Sequence, residues 1–324
     1  MSSHTATIIS DSLLLLHDTG GRDHPEMPER LQAVEKQLQA GHLNPFLEFV
    51  GTRPAVREHL LTFHTEAWLF RFEEAALSGK TYIDHPDNQI GYDSYEAALY
   101  SAGTGMTGVD LVEKRGGGTV FCSTRPPGHH AEPNMPYGFC FFNNCVIAAR
   151  YWQKQYGRSR ICVLDFDAHH GNGIQTAFEE EADSLYISIH EHPSFSYPGT
   201  GYAEEKGMGE GLGTILNIPL PPGAGDQKVI AALDAQVSLK LEEFMPDALV
   251  VAAGFDGHRL DDMSGLNYST SLYRILGERI RLWAEKYTAG RVVSILEGGY
   301  HLQALAESVE SYLSGLLPAH ENQT

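Results

Sequence analysis

Short apolar runs rich in β-branched residues alternate with longer amphipathic stretches along this chain, and this alternation limits its fold more than any other feature. The apolar runs occupy residues 118–123, 160–166, 184–190, 214–220, 247–255 and 291–297. Helical periodicity occupies residues 29–40, 66–78, 94–114, 144–155, 226–244 and 271–287. Apolar strands separated by helices predict an α/β fold, with a central, mostly parallel sheet and helices on both faces. No linker rich in Gly, Pro or Ser divides the chain, so we expect one domain over residues 1–324.

The charge balance and the apolar content limit the partners of the chain. Its net charge of −19 argues against a nucleic-acid partner, which needs clustered Lys and Arg, but would tolerate a cationic substrate. No apolar run reaches the roughly 18 residues of a membrane span, and the first residues lack a secretory pattern. The four cysteines form no Cys-x-x-Cys pair and are expected to be reduced. We therefore expect a cytoplasmic protein without a membrane partner.

Polar segments follow five of the apolar runs at the point where each run ends. They are TRPPGHHAE (124–132), DAHHGNG (167–173), His190, Asp256 and EGGY (297–300). Ligands of open parallel sheets bind beyond the carboxyl ends of the strands. The sequence therefore predicts that long loops at these strand ends converge on one functional rim.

The stretch DFDAHHGNG directs three side chains of metal-ligand type the same way. In an extended chain Asp165, Asp167 and His169 share a face, because they are spaced two residues apart. Zn²⁺ accepts carboxylate and imidazole ligands, and a catalytic zinc site has three protein ligands and one open position. Asp256 is a candidate long-range ligand, since a buried acid is costly unless it is paired or metal-bound. A loop whose Asp side chains bind backbone N–H groups is the competing interpretation.

Two further features allow more than one interpretation. His129 and His130 follow Pro and Gly residues that keep their loop non-helical. Three interpretations of the two histidines are open: metal ligands, a proton-transfer pair, or surface residues. Tyr300 follows two glycines that permit close backbone approach, so its phenol could donate a hydrogen bond to a developing oxyanion. An ordinary structural Tyr is the alternative.

Taken together, RPPGHHA, GFCFFNN, DFDAHHGNG, AAGFD and EGGY resemble, in their order and separations, the motifs of the zinc-dependent histone deacetylase superfamily. The resemblance runs from residue 17 to residue 300. The members that the chain resembles are the class II-like bacterial deacetylase-like amidohydrolases and the acetylpolyamine amidohydrolases. It implies an arginase-like or deacetylase-like single domain.

The resemblance implies a role for each matching residue. Asp167, His169 and Asp256 match the zinc ligands, although Fe²⁺ or Co²⁺ would also suit this donor set. The matches to the catalytic residues are His130 as general base, His129 as its electrostatic neighbour, Asp165 as the acid that orients His129, and Tyr300 as the transition-state tyrosine. A structural K⁺ site is implied at Asp165, Asp167, His169, Ser188 and Ile189, and a second monovalent-cation site at Phe178, Glu181 and Ser184.

Other matching positions concern class and substrate. Asn172 stands where class I deacetylases have Asp, so the chain resembles the class II side and His130 has a neutral partner, which stabilises imidazolium less. Gly138 and Phe139 match the rim and one wall of a substrate tunnel, and Tyr197 matches the facing wall. Met263 lies where a polyamine-selective relative has an acidic gatekeeper. Asp93 lies in the segment that matches the substrate-backbone contact.

The implied activity is metal-dependent hydrolysis of linear amide C–N bonds, which removes acetyl or other acyl groups from amines. Acetylated lysine in a protein or peptide is the expected substrate, and an acetylated polyamine is the alternative. A non-catalytic module that binds acyl-lysine or a partner is the remote alternative. The relatives form monomers, dimers and tetramers, which leaves a homo-oligomer open.

Overall fold

The computed structural model describes residues 6–21 and 23–318 of the chain. Its strands in chain order are β1 Ala6–Ile9, β2 Leu47–Val50, β3 Tyr82–Ile83, β4 His85–Gln89, β5 Gly118–Cys122, β6 Ile161–Asp165, β7 Ser184–Glu191, β8 Ile215–Leu220, β9 Ala248–Ala253 and β10 Arg291–Leu296. Eight of them form one sheet in the order β2-β1-β5-β10-β9-β6-β7-β8, in which every neighbouring pair is parallel. Strands β3 and β4 form a separate antiparallel pair.

Helices connect most of these strands. The α-helices are α1 Glu29–Ala40, α2 Arg57–Leu60, α3 Glu66–Leu77, α4 Ser94–Arg115, α5 Asn144–Tyr156, α6 Asn172–Phe178, α7 Asp226–Ala232, α8 Ser238–Phe244, α9 Thr270–Tyr287 and α10 Leu302–Leu316. A π-helical segment, Leu233–Val237, joins α7 to α8. No helix among the described residues combines the length and the apolar character that a membrane crossing needs.

The sheet is buried on both faces, as its unbroken apolar strands predict. In β6, Cys162 and Leu164 belong to one buried cluster, together with side chains of α1, α9 and α10. The alternate residues Ile161 and Val163 belong to a second cluster with side chains of α4 and α5. This alternation places helices on both faces and confirms the predicted α/β class.

Some elements differ from the sequence-based expectation. Strand β1 and the edge strand β2 were not predicted, and the LEFV residues of β2 are only partly buried, so that segment lacks a strong apolar pattern. Helices α6 and α10 were also missed, whereas the region 226–244 is helical but contains the π-helical segment.

The strand order explains how distant loops meet. Strands β5, β10, β9, β6 and β7 are consecutive neighbours in the sheet. Because they are parallel, the polar segments that follow them leave the same edge. The five loops that the sequence singles out therefore lie side by side.

Candidate active site

Three side chains converge at the centre of this edge. Ligand atoms of Asp167, His169 and Asp256 all lie within 4.8 Å of one another, and the three residues are buried. His169 Nδ1 lies 2.9 Å from Asp256 Oδ2 and 3.2 Å from Asp167 Oδ1. The loops after β6 and β9, which are adjacent strands, supply the three residues.

The surroundings of these three residues fit a divalent metal. The other ring nitrogen of His169, Nε2, lies 3.1 Å from the backbone oxygen of Met263, so donation to that oxygen leaves the Nδ1 lone pair facing the carboxylates. Burial and the charge of Asp167 raise the pKa of Asp256 to about 6. Two buried carboxylates with one imidazole form an electron-rich pocket, which a divalent cation neutralises.

Close approach of the backbone needs glycine beside these ligands. A Cβ atom on Gly298 would lie 2.5 Å from Asp256 Oδ2 and 2.6 Å from Asp167 Oδ2. The amide of Gly298 instead donates to Asp167 Oδ2 at 2.8 Å. Gly298, the first glycine of EGGY, therefore holds the candidate ligand Asp167 in place.

Two histidines beside the ligand cluster have different partners. His129 Nδ1 lies 3.1 Å from Asp165 Oδ2, and that oxygen also accepts a hydrogen bond from the Tyr186 hydroxyl at 2.9 Å. His130 Nδ1 lies 2.8 Å from Asn172 Oδ1. The carboxamide oxygen can only accept, so Nδ1 of His130 carries the proton and Nε2 is left with a lone pair.

The two imidazoles differ in electrostatics as well. Burial, together with the charges of His129 and His169, holds the pKa of His130 well below its usual range. Burial also lowers the pKa of His129, but the carboxylates of Asp167 and Asp165 outweigh it and raise that pKa to about 10. The site thus pairs one neutral imidazole with one that favours its charged form.

A cavity of about 210 Å³ opens onto this cluster. Its lining residues are Asp87, His130, Gly138, Phe139, His169, Tyr197, Met263 and Tyr300. The rings of Tyr197 and His130 pack edge to face with their centres 5.1 Å apart, and those of Phe139 and Tyr300 do so with their centres 5.8 Å apart. Gly138 has φ +51°, and a Cβ there would lie 2.3 Å from His130 Cδ2, so only glycine fits.

The residue expected in the substrate-backbone contact lies outside the cavity wall, and another carboxylate lies in it. Asp93 is not among the lining residues and precedes α4 at its N-terminus, whereas Asp87, six residues earlier, lines the cavity. Asp87 ends up there because the β3–β4 pair carries it to the site, and a β-hairpin in residues 82–89 has no strong sequence pattern. The Asp87 backbone oxygen lies 3.0 Å from His24 Nε2.

The residues expected around K⁺ are also neighbours. Strand register pairs Asp165 with Ser188, and Ile189 follows in β7. Asp165 Oδ1 accepts a hydrogen bond from the backbone N–H of Asp167 at 3.1 Å. This arrangement brings the five residues of the expected site together, and the identity of an ion there stays a prediction.

The second expected cation site has protein partners of its own. Glu181 is bound by both guanidinium nitrogens of Arg150, at 2.6 and 2.7 Å, and accepts the Ser184 hydroxyl at 2.9 Å. The Phe178 carbonyl accepts the Glu181 N–H at 3.0 Å. The Arg150 guanidinium therefore already supplies a positive charge here.

Three carboxylates that the sequence did not single out contact catalytic candidates. Glu297 Oε2 accepts the backbone N–H of Gly128 at 2.7 Å and that of His129 at 3.1 Å. Asp261 Oδ2 accepts the N–H of Tyr300 at 2.6 Å. Glu132 Oε1 accepts the side-chain N–H of Asn172 at 2.7 Å. Glu132 and Glu297 lie inside the segments TRPPGHHAE and EGGY, and this position in the sequence could have identified them as candidates.

His170 and His190 take no part in the cluster. His170 is buried and is held by Thr200 at 2.9 Å and Gln175 at 3.0 Å. His190 lies 2.7 Å from the Ser188 hydroxyl and 2.9 Å from the Gly201 carbonyl. Both rings support the loop that carries Tyr197.

Comparison with known proteins gives consistent results. The family model described as Histone deacetylase domain matches residues 24–316. A protein named Histone deacetylase 14, chloroplastic, from Arabidopsis thaliana is 37% identical over 326 residues, covering 96% of this chain and 76% of the relative. A Histone deacetylase-like amidohydrolase from Pseudomonas aeruginosa is 36% identical over 277 residues, covering 86% of this chain and 72% of the relative.

A solved structure gives the same result for the fold. The crystal structure of the HDA15 HD domain superposes with a TM-score of 0.89 at 30% sequence identity, covering 97% of this chain and 89% of that one.

Proposed function

This chain belongs to the histone deacetylase family and is a hydrolase that acts on amide bonds, and from that premise we propose that it removes acetyl groups from acetylated lysine side chains. The observation that carries this proposal is the cavity of about 210 Å³, which leads past Phe139 and Tyr197 to His169, a member of the cluster with Asp167 and Asp256. An acyl-lysine is a linear alkyl amide, and two aromatic walls suit its apolar stem.

Asp167, His169 and Asp256 would hold the metal. A divalent ion of the Zn²⁺ type, when bound, polarises a carbonyl and lowers the pKa of water. The donor set of two carboxylates and one imidazole also accepts Fe²⁺ or Co²⁺. Asp165, Ser188 and Ile189 are proposed to help hold a structural K⁺.

His130 acts as the general base and then the general acid. Its low pKa keeps the imidazole neutral near neutral pH, and its Nδ1–H is committed to Asn172. Nε2 is therefore free to take a proton from the attacking water and later to deliver it to the leaving amine. The neighbouring pair of His129 and Asp165 orients this arrangement and adjusts its charge.

Tyr300 stabilises the developing negative charge. Burial raises the pKa of its phenol well above the usual range, so the hydroxyl stays protonated and donates a hydrogen bond. The Arg30 guanidinium lies 4.8 Å from the centre of the Tyr300 ring and supports its position. A preorganised donor of this kind favours the transition state over the substrate.

An acetylated polyamine is the second candidate substrate, and one observation favours it. Asp87 brings a carboxylate into the cavity wall, where it would attract the free ammonium group of an acetylated polyamine. Met263, an apolar residue, stands in the same wall and offers no such charge. Lysine in a peptide remains the preferred proposal because Asp87 also suits a backbone N–H donor.

A paired assay separates the two substrates. Purified metal-loaded protein is given an acetyl-lysine peptide and N-acetylputrescine under the same conditions, and acetate is measured. We expect a higher kcat/KM for the peptide. A higher value for N-acetylputrescine would establish the polyamine alternative, and absence of acetate from both would reject the proposed chemistry.

A further inference from the structure

A second cavity, of about 520 Å³, lies beside the first and shares Tyr197 as a wall. Glu132, Asn172 and Thr176 line it, so the far side of the His130–Asn172 pair faces this second space. The floor between the two cavities is a hydrogen-bonded row of side chains, of which the proposed hydrolysis uses His130 and Asn172 but not Glu132.

The row has three members in a fixed order. His130 Nδ1 lies 2.8 Å from Asn172 Oδ1, and Asn172 Nδ2 donates to Glu132 Oε1 at 2.7 Å. The same Nδ2 also donates to the His130 backbone oxygen at 3.2 Å, which fixes which end of the carboxamide faces the imidazole. Thr176 donates to Glu132 Oε1 at 3.3 Å from the next turn of α6.

We propose that Glu132 is a positioning residue that acts on His130 through Asn172. Class I deacetylases have an Asp at the position of Asn172; here the negative charge lies on Glu132, one residue further from His130. This inference rests on the proposed function of His130. An N–H donated to a carboxylate shifts electron density toward the carbonyl oxygen of the same amide, which strengthens the bond that this oxygen accepts. Asn172 thereby supports imidazolium more than an isolated amide does.

The charges around the row allow this assignment. His130 is faced by His129, His169 and Asp167, and Glu132 is faced by Asn172, Thr176 and the charge of Glu179. Burial raises the pKa of Glu132, and the hydrogen bonds from Asn172 and Thr176 oppose that rise. The charge of Glu132 is therefore lost on acidification at a pH above the range usual for glutamate.

The first test replaces the charge and keeps the shape. Glu132→Gln removes the charge, and Glu179→Gln removes an equal nearby charge that has no hydrogen bond to Asn172 in the described residues. We expect Glu132→Gln to lower kcat about three- to ten-fold, a fraction of the 10²–10⁴ that general acid–base catalysis supplies. The acidic limb of kcat/KM should move to lower pH, because imidazolium is less stabilised, while KM changes little. Glu179→Gln should leave the profile in place.

The second test separates a charge effect from a packing effect. In Asn172→Asp the new carboxylate faces Glu132 directly, and two such charges at 2.7 Å repel each other. Adding Glu132→Gln to that variant should raise kcat about three- to ten-fold, the scale of coupling within one hydrogen-bond network. The sign of the Glu132→Gln effect thus reverses with residue 172. The same loss in both backgrounds would overturn the proposal, as would an unchanged profile in the single variant.

A readout without substrate keeps this inference apart from the proposed function. The His130 ring is titrated by ¹⁵N NMR in the metal-loaded protein, in wild type, Glu132→Gln and Glu179→Gln. A lower His130 pKa in Glu132→Gln alone supports the relay even if no acetyl substrate is hydrolysed. An identical His130 titration in all three proteins rejects it, and a matched melting temperature shows that each variant is folded.

Discussion

Tyr300 presents the hydrogen-bond donor on which the proposed hydrolysis most depends. Its phenol lines the substrate cavity next to the metal-ligand cluster. We expect Tyr300→Phe to lose about 10²–10³ in kcat and to retain its metal, as for removal of one oxyanion donor. Tyr82→Phe, at a half-exposed position in the hairpin, is the matched control. Turnover of Tyr300→Phe within two-fold of wild type would remove the tyrosine from the mechanism.

Asp87 lines the cavity wall, and we propose that its charge affects the choice between the two candidate substrates. Asp87→Asn keeps the size of the side chain and removes its charge, so it should raise KM for N-acetylputrescine more than KM for an acetyl-lysine peptide. Steady-state kinetics on both substrates measures the difference. Equal changes in the two KM values would mean that Asp87 makes no specific contact with a substrate ammonium.

The sequence indicated the candidate metal ligands and histidines partly through local spacing and partly through motifs that resemble those of the family. Asp165, Asp167 and His169 lie on one strand end, where a spacing of two residues fixes their direction. Asp87 and Glu132 were missed for the opposite reason. Asp87 reaches the cavity through a short, weakly patterned hairpin, and Glu132 gains its role by contact with Asn172, 40 residues away.

The loop after β9 connects the catalytic candidates through one buried carboxylate. Asp261 Oδ2 accepts the N–H groups of Tyr300 and His301, and Oδ1 accepts that of Met263 at 3.1 Å. The Met263 backbone oxygen in turn lies 3.1 Å from His169 Nε2. Asp261 therefore fixes both the tyrosine and the orientation of a metal-ligand candidate.

Asp261→Asn should disturb this loop, because the new NH₂ group faces backbone N–H donors. Loss of a buried acceptor of this kind costs about 1–3 kcal/mol of unfolding free energy. We expect a lower kcat and a lower midpoint of urea unfolding. Asp262→Asn changes the exposed neighbouring acid and serves as control. An Asp261→Asn protein with wild-type stability and kcat would refute the proposed role of the loop.

The type of each element was easier to predict from the sequence than the order of the strands in the sheet. The interior strands and long helices follow from continuous apolar runs and helical periodicity, and their bounds agree with the structure to within about two residues. The strand order β5-β10-β9-β6-β7 pairs residues as far apart as Gly118 and Arg291, and periodicity contains no such information. The meeting of five strand ends was still expected, since parallel strands share one ligand-binding edge.

At the scale of the whole molecule, the metal is expected to stabilise the fold as well as to act in catalysis. Its candidate ligands come from two loops, and without a cation two buried carboxylates lie against each other. A ligand present at about 100 times its Kd stabilises the native state by about 2.7 kcal/mol. Chelation should therefore lower the melting temperature of wild type and leave that of Asp256→Ala unchanged. Equal shifts in both proteins would mean that the chelator acts elsewhere.

The central claim is that this fold brings Asp167, His169 and Asp256 together, that they would hold a divalent metal, and that the protein hydrolyses an acetyl amide only when that metal is bound. The most direct measurement is acetate release from an acetyl-lysine peptide by the native protein, the chelated protein and the chelated protein after addition of one equivalent of Zn²⁺. We predict release by the first, none by the second and recovery in the third, with no recovery when Asp256→Ala is treated in the same way. Acetate release that survives complete removal of the metal would contradict the claim.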